Sequence, residues 1–224
     1  MLILGRGKTG SLVAELARER RHHVRVLGAS ENQEACGLTE PALSDVELVI
    51  DFTTPVAVLA NIRCCLAARK NMVVGTTGWY GDLAAVRQQV EKAGTGLVYG
   101  ANFSIGVNLF FEAVRVAAEA VRHEYLGQIF ERHHKQKKDA PSGTALVLQS
   151  IVKTAAATQL EITSFREGHV VGMHEVVFDS ANDRIYLCHD AKSRRGYAEG
   201  AVRAAEWLAA KRGFYEFREI WREL

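Results

Sequence analysis

The chain opens MLILGRGKTGSLVAELARERR, a short apolar run followed by Gly5, Gly7 and Gly10 and then by apolar residues at helical spacing. The G-x-G-x-x-G pattern therefore sits between a strand and a helix, and that placement restricts the fold more than any other feature. Glycine permits the tight turn and a close backbone approach, and the first turn of the helix leaves N–H groups unpaired at the positive end of its dipole. A pyrophosphate is the ligand such a turn suits, and the sheet that carries it is parallel.

The alternation continues. HVRVLG, VELVIDF, NMVVGTTG and GLVYG read as strands, VAVLANIRCCLAARK and DLAAVRQQVEKAG as helices, the second with Asp82 as its N-cap. From residue 104 the rhythm changes. SIGVNLFFEAVRVAAEAVRHEY reads as one long helix, QIFERHH as a strand, SGTALVLQSIVKTAAA as a helix, and ITSFREGHVVGMHEVVFDSANDRIYLCHDA as two or three longer strands. A last helix, YAEGAVRAAEWLAAKRG, can pack on either part. The fold class expected is α/β, a Rossmann-type parallel-sheet domain with a second, mixed α+β domain.

A chain of 224 residues, 48% hydrophobic and 24% charged, has the composition of a globular protein with a substantial core. Its formal net charge of +2 gives no support to nucleic-acid binding. No apolar run approaches a membrane span, and Met1 leads directly into a strand, so a cytoplasmic protein is expected. Cys36, Cys64, Cys65 and Cys188 form neither a disulfide framework nor a CxxC zinc pattern.

Candidate cofactor residues begin with the turn itself: Gly5, Arg6, Gly7, Lys8, Thr9 and Gly10. Glu31 follows the second strand, about 21 positions past Gly10, where a carboxylate can accept from the adenosine ribose hydroxyls. Arg6 and Lys8 are cations suited to a 2′-phosphate, so NADH and NADPH both remain open. In an open parallel sheet, ligands bind beyond the carboxyl ends of the strands. Asp51-Phe52-Thr53-Thr54 and Gly75-Thr76-Thr77-Gly78 belong there, with small hydroxyl-bearing residues that let a flat nicotinamide approach the backbone.

The second candidate site is ERHHKQKKDAPSGTA, residues 131–145. Adjacent strand residues point to opposite faces, so His133 and His134 do not share a metal easily, and no metal is expected. The lysines lack interleaved aromatic residues, which argues against a nucleic-acid surface. Ser142, Gly143 and Thr144 open an apolar helix with backbone N–H groups, hydroxyls and upstream lysines, a combination that suits a carboxylate. A histidine beside it titrates near neutral pH and can move a proton. With the glycine turn, the segment suggests reduction of a small carboxylate-bearing molecule.

The same fifteen residues closely resemble the E-x-H-H-x-x-K-x-D-A-P-S-G-T-A signature of the 4-hydroxy-tetrahydrodipicolinate reductases, also called dihydrodipicolinate reductases. GTTG at 75–78, NFSIGVN at 102–108, REGHVVGMHEVVF at 166–178 and HDAKSRRGYAEGA at 189–201 resemble further family segments in family order. The resemblance implies an enzyme of the diaminopimelate route to lysine that takes hydride from NADH or NADPH to a cyclic, unsaturated dicarboxylate, with loss of water. It implies a homotetramer, with a dinucleotide-binding domain in residues 1–103 and 198–224 and a substrate-binding and tetramerisation domain in 104–197. By motif, His133 is the implied proton donor or acceptor and Lys137 a second proton donor. His134, Gly143 and Thr144, with Ser142 beside them, are implied to hold the substrate carboxylates. The implied cofactor positions are the glycine turn, Glu31, Gly75, Thr76, Thr77, Gly100, Ala101, Asn102 and Phe103.

This sequence departs from the family pattern in places. Its glycine turn is one residue shorter than G-x-x-G-x-x-G, Asn32 stands where arginine is common, and GMHEV replaces G-T-H-E-V. It is also shorter than most relatives, which implies trimmed loops in the substrate domain. Closure about hinges near 101–104 and 193–198 is expected of a two-domain dinucleotide enzyme. The alternatives are another Rossmann oxidoreductase acting on an amino or keto dicarboxylate, and a catalytically silent dinucleotide sensor.

Overall fold

A computed structural model describes all residues, 1–224. It divides into one unit formed by Met1–Ser104 with Arg195–Leu224 and another formed by Ile105–Arg194. The first unit runs β1 (Leu2–Leu4), α1 (Lys8–Glu19), β2 (Arg25–Leu27), a short α2 (Glu40–Leu43), β3 (Leu48–Asp51), α3 (Pro55–Ala67), β4 (Asn71–Val74), α4 (Leu83–Ala93) and β5 (Gly96–Tyr99). The second holds α5 (Ile105–Ala117), β6 (Leu126–His133), α6 (Gly143–Ala156), β7 (Glu161–Arg166), β8 (Met173–Asp179) and β9 (Arg184–Asp190). The chain returns to the first unit as α7 (Arg195–Leu208), β10 (Gly213–Glu216) and α8 (Phe217–Ile220).

The first sheet has the order β10-β5-β4-β3-β1-β2, and every pair is parallel. Its central strands are buried along their whole length and apolar but for Asp51 and Asn71, as a sheet covered on both faces requires. The chain leaves β1 towards β2 and then crosses back to β3 on the other side. The carboxyl ends of β1 and β3 thus flank the point where strand order reverses. Gly5 carries φ of 104°, and a side chain there would meet the Phe52 carbonyl oxygen; one on Gly10 would meet the Gly5 carbonyl. The tight path from β1 into α1 therefore depends on both glycines.

Helix α7 presents Ala198, Gly200, Ala201, Ala204 and Ala205 as a buried face of small residues, which permits close approach to the sheet and α1. Arg20 of α1 grips Glu206 of α7 with two N–H donors at 2.7 and 2.5 Å. The last helix of the sequence reading thus belongs to the parallel-sheet unit, and a sixth strand follows it. That strand, β10, went unread because GFYE is too short to show a period.

In the second unit β6 pairs in parallel with β7 and antiparallel with β8, which pairs antiparallel with β9. One face, through Ile129, Val176 and Phe178, packs against Phe110 and Val114 of α5 and Leu148 and Val152 of α6. The long helix expected from residue 104 is α-helical only to Ala117; a 3-10 stretch carries it to His123 before Glu124 turns left-handed. Asp82 stands at the N-cap of α4, but its side chain caps nothing, because a 3-10 turn over Tyr80–Asp82 already leads into the helix. No helix is long and apolar enough to cross a membrane.

Candidate active site

Beyond the carboxyl ends of β1, β3 and β4 lies a cleft of about 270 Å³. Gly7, Lys8, Thr9 and Gly10 form one wall, Phe52, Thr53 and Pro55 another, and Gly75, Thr76 and Thr77 the third. A side chain on Gly7 would meet nothing within 4 Å, so the first turn of α1 is open towards a ligand. That turn has no acidic residue and no side-chain cap, which leaves its N–H groups for an anion. Most of the turn and the Gly75–Thr77 segment are thus gathered together, whereas Glu31, Arg6 and Gly100–Phe103 do not line this cleft. Phe103 packs at a tilt against Phe217 with centroids 4.6 Å apart and is 2% exposed.

Two threonines that line the cleft, Thr53 and Thr76, also serve a buried carboxylate. Asp51 is fully buried, and its Oδ1 accepts from the Thr53 N–H at 2.9 Å and from the Thr53 and Thr76 hydroxyls at 2.7 Å each. Its Oδ2 accepts from Asn61 Nδ2 at 2.7 Å, and Asn61 Oδ1 accepts from Asn32 Nδ2 at 2.9 Å. Asn32 Oδ1 in turn accepts from the Gly37 N–H at 3.2 Å. A buried carboxylate needs such donors, and here they fasten β3, β4, α3 and the loop after β2 into one support. Asn32 is spent on this network. Glu31 beside it is half-exposed, accepts from the Gly28 N–H at 2.7 Å and pairs with Arg6 at 2.8 Å.

The second unit concentrates its buried polar groups on the helix-covered face of its sheet. The register brings Ser164, Glu131, His174 and His189 into one row across β7, β6, β8 and β9, and Arg166 beside His133 in the next. Glu131 is 0% exposed; its Oε1 accepts from Arg166 Nη2 at 2.8 Å and its Oε2 touches His133 Nδ1. Burial alone would raise the Glu131 carboxyl, but Ser164, Arg166 and His133 outweigh it and hold it at about 2. Burial pushes His133 below the usual imidazole range; Glu131 opposes the shift, while Lys137 and Arg166 add to it. His174 lies 5.1 Å from His133 between ring centroids, and burial, helped by His133, drives it to about 3.

Helix α6 begins where the sequence placed it. Ser142 accepts from the Ala145 N–H at 3.2 Å as its N-cap and meets His174 Nε2 at 3.0 Å. Gly143 is exposed, with nothing near its missing side chain. Lys137 gives both oxygens of Asp139 an N–H at 2.8 Å, and His134 Nε2 lies 3.3 Å from Arg194. Arg132 points to the other face of the sheet, where it pairs with Glu167 at 3.1 Å and lies over Phe165. Strand alternation turns it away from His133.

Residues 1–103 match the family profile described as dihydrodipicolinate reductase, N-terminus, and residues 106–221 match dihydrodipicolinate reductase, C-terminus. The chain belongs to the dihydrodipicolinate reductase family. It is similar to the 4-hydroxy-tetrahydrodipicolinate reductase of Christiangramia forsetii, 35% identical over 236 residues that cover 99% of this chain and 97% of that protein. It is also 36% identical to the enzyme so named of Laribacter hongkongensis, over 81% of this chain and 75% of that protein. Among solved structures, a dihydrodipicolinate reductase from Paenisporosarcina sp. TG-14, with dipicolinate bound, superimposes with a TM-score of 0.78. At 21% identity over 98% of both chains, that likeness concerns the fold.

Three residues near His133 are absent from the candidates drawn from the sequence: Glu131, Arg166 and His174. Glu131 was within reach of it, because residues two apart on a strand share a face. His174 and Arg166 were not, since only the register of β8 and β7 against β6 brings them in. Glu131, His133 and His174 also place ligand atoms within 4.8 Å of one another, a set that could hold a metal ion. The expectation of no metal rested on His133 and His134 and overlooked this trio. Arg166 and Ser142 already engage two of its members.

Proposed function

We propose that this chain is an oxidoreductase that reduces 4-hydroxy-tetrahydrodipicolinate to tetrahydrodipicolinate, with loss of water, in the diaminopimelate route to lysine. NADH or NADPH supplies the hydride. The observation that carries the reading is the presence in one chain of an open glycine-turn helix start and a buried histidine near a second helix start, each in its family segment.

Gly7, Lys8, Thr9 and Gly10 hold the pyrophosphate at the N-terminus of α1, and Gly75–Thr77 and Gly100–Phe103 border the nicotinamide half. Glu31, already oriented by the Gly28 N–H, accepts from the adenosine ribose, with Arg6 as the cation within reach of a 2′-phosphate. Ser142, Gly143, Thr144 and His134 receive the substrate carboxylates. His133 and Lys137 handle the proton that accompanies reduction, and Lys137 also offsets a carboxylate. These roles divide the chain into a dinucleotide-binding part and a substrate part, with chain crossings in the segments 101–104 and 193–198 as hinges.

The uncovered face of the second sheet supports a homotetramer. Phe130, Phe165, Met173, Val177 and Tyr186 share it with the Arg132–Glu175 pair, and no element of that unit covers it. A cytoplasmic location follows from dependence on the nicotinamide nucleotide pool. The test of the reaction is a coupled assay in which the upstream synthase generates the unstable substrate and NADH and NADPH oxidation are followed separately. Nucleotide oxidation that requires both synthase and this protein is expected; none with either nucleotide would reject the assignment.

A further inference from the structure

We propose that Glu131 is a positioning residue that locks His133 into one tautomer, with the proton on Nδ1 and the lone pair on Nε2 left to accept from a hydroxyl or N–H of the bound substrate. The proposal rests on the reading of His133 as the ring that meets the substrate, and it decides what that reading left open, whether the resting ring donates or accepts.

Glu131 is sealed from solvent, with Arg166 bound to its other oxygen at 2.8 Å, so it is ionised and can only accept. His133 Nδ1 lies against it, also sealed from solvent and with no other partner, so a hydrogen on Nδ1 is the arrangement that keeps two lone pairs from facing each other. Around the ring stand Glu131 on its own strand, Arg166 on β7, His174 on β8 and Lys137 in the loop after β6. Burial and the two cations favour the neutral ring against the pull of Glu131. A neutral ring with Nδ1–H has a bare lone pair at Nε2.

The surroundings of Nε2 fit that use. A side chain on Gly172 would come within 3.0 Å of it, so only glycine leaves room beside this edge of the ring. Arg166 also donates to the Asp139 carbonyl at 2.6 Å, which ties Glu131 to the loop carrying Lys137. The resting histidine therefore meets the substrate as a hydrogen-bond acceptor. Lys137, an ammonium with three N–H groups, is left as the donor of the proton that accompanies hydride and regains it from solvent.

The first measurement uses the unaltered protein. With selectively 15N-labelled histidine, the His133 signal, identified by its loss in His133→Ala, should show protonated Nδ1 and unprotonated Nε2 at pH 7. An Nε2–H tautomer, or a ring exchanging between the two, would overturn the proposal. The second is Glu131→Gln, expected to lower kcat about 10- to 100-fold with KM within about threefold, since the amide no longer demands a single tautomer. Because Glu131 raises the His133 value, its loss should also move the acid limb of kcat/KM to lower pH, while Glu131→Asp keeps the charge and holds the limb near its original position. A folded Glu131→Gln protein with unchanged kcat and limb would also overturn it. If Glu131→Gln fails to fold, the tautomer measurement decides. An unchanged kcat in His133→Ala would instead remove the reading of His133 itself and leave the tautomer result standing.

Discussion

At the residue scale, the buried row Glu131–His174 links chemistry to stability. His174 sits at about 3 in the folded protein against an ordinary 6.5, so the unfolded chain binds more protons throughout that interval and stability falls as pH drops through it. Glu131 acts in the same sense lower down: its folded value of about 2 against 4.5 gives stability that is present above 4.5 and lost as pH falls through 2. His133 and His189, both displaced downwards by burial, add to the loss on acidification. Chemical denaturation at pH 7 and pH 4 should show a clear loss for the unaltered protein and a smaller one for His174→Gln; equal losses would mean that His174 is not held neutral. The sequence showed His133, Lys137 and Ser142–Thr144 because they lie in one segment. It did not show Arg166 and His174, which are distant along the chain and adjacent only through strand register.

At the scale of elements, the polar chain Asp51–Asn61–Asn32 joins the strand ends that border the cleft to the loop that carries Glu31. Asn61→Leu keeps roughly the volume but takes a donor from the buried Asp51 carboxylate and a partner from Asn32, and should cost about 2–4 kcal/mol. A loss below about 0.5 kcal/mol by denaturant titration would show that the network does not support the fold. Its members were all visible in the sequence, but Asp51, Thr53 and Thr76 were read only as strand-end residues facing a nicotinamide, because nothing in their spacing shows that three strand ends and a helix converge. The strand–helix alternation itself was legible, since each period runs long enough to read. β10 and the 3-10 end of α5 were not: the first has four residues, and the second keeps the apolar pattern of a helix while its hydrogen bonding tightens.

At the scale of the whole molecule, two compact units joined by two chain crossings carry the two halves of the proposed reaction, one with an open glycine turn and one with a buried histidine. The uncovered sheet face, with Tyr186 53% exposed at its edge, is suited to other copies of the chain; sedimentation giving a single-chain mass would remove that assembly. The central claim is that a hydride passes from a nucleotide held at Gly7–Gly10 to a dicarboxylate held beside His133. Single-turnover reaction with nucleotide deuterated on the transferring face of nicotinamide C4, followed by mass spectrometry of the product, tests it most directly. One deuterium on a ring carbon of tetrahydrodipicolinate per nucleotide oxidised is the predicted result; unlabelled product, or nucleotide bound without oxidation, would contradict it.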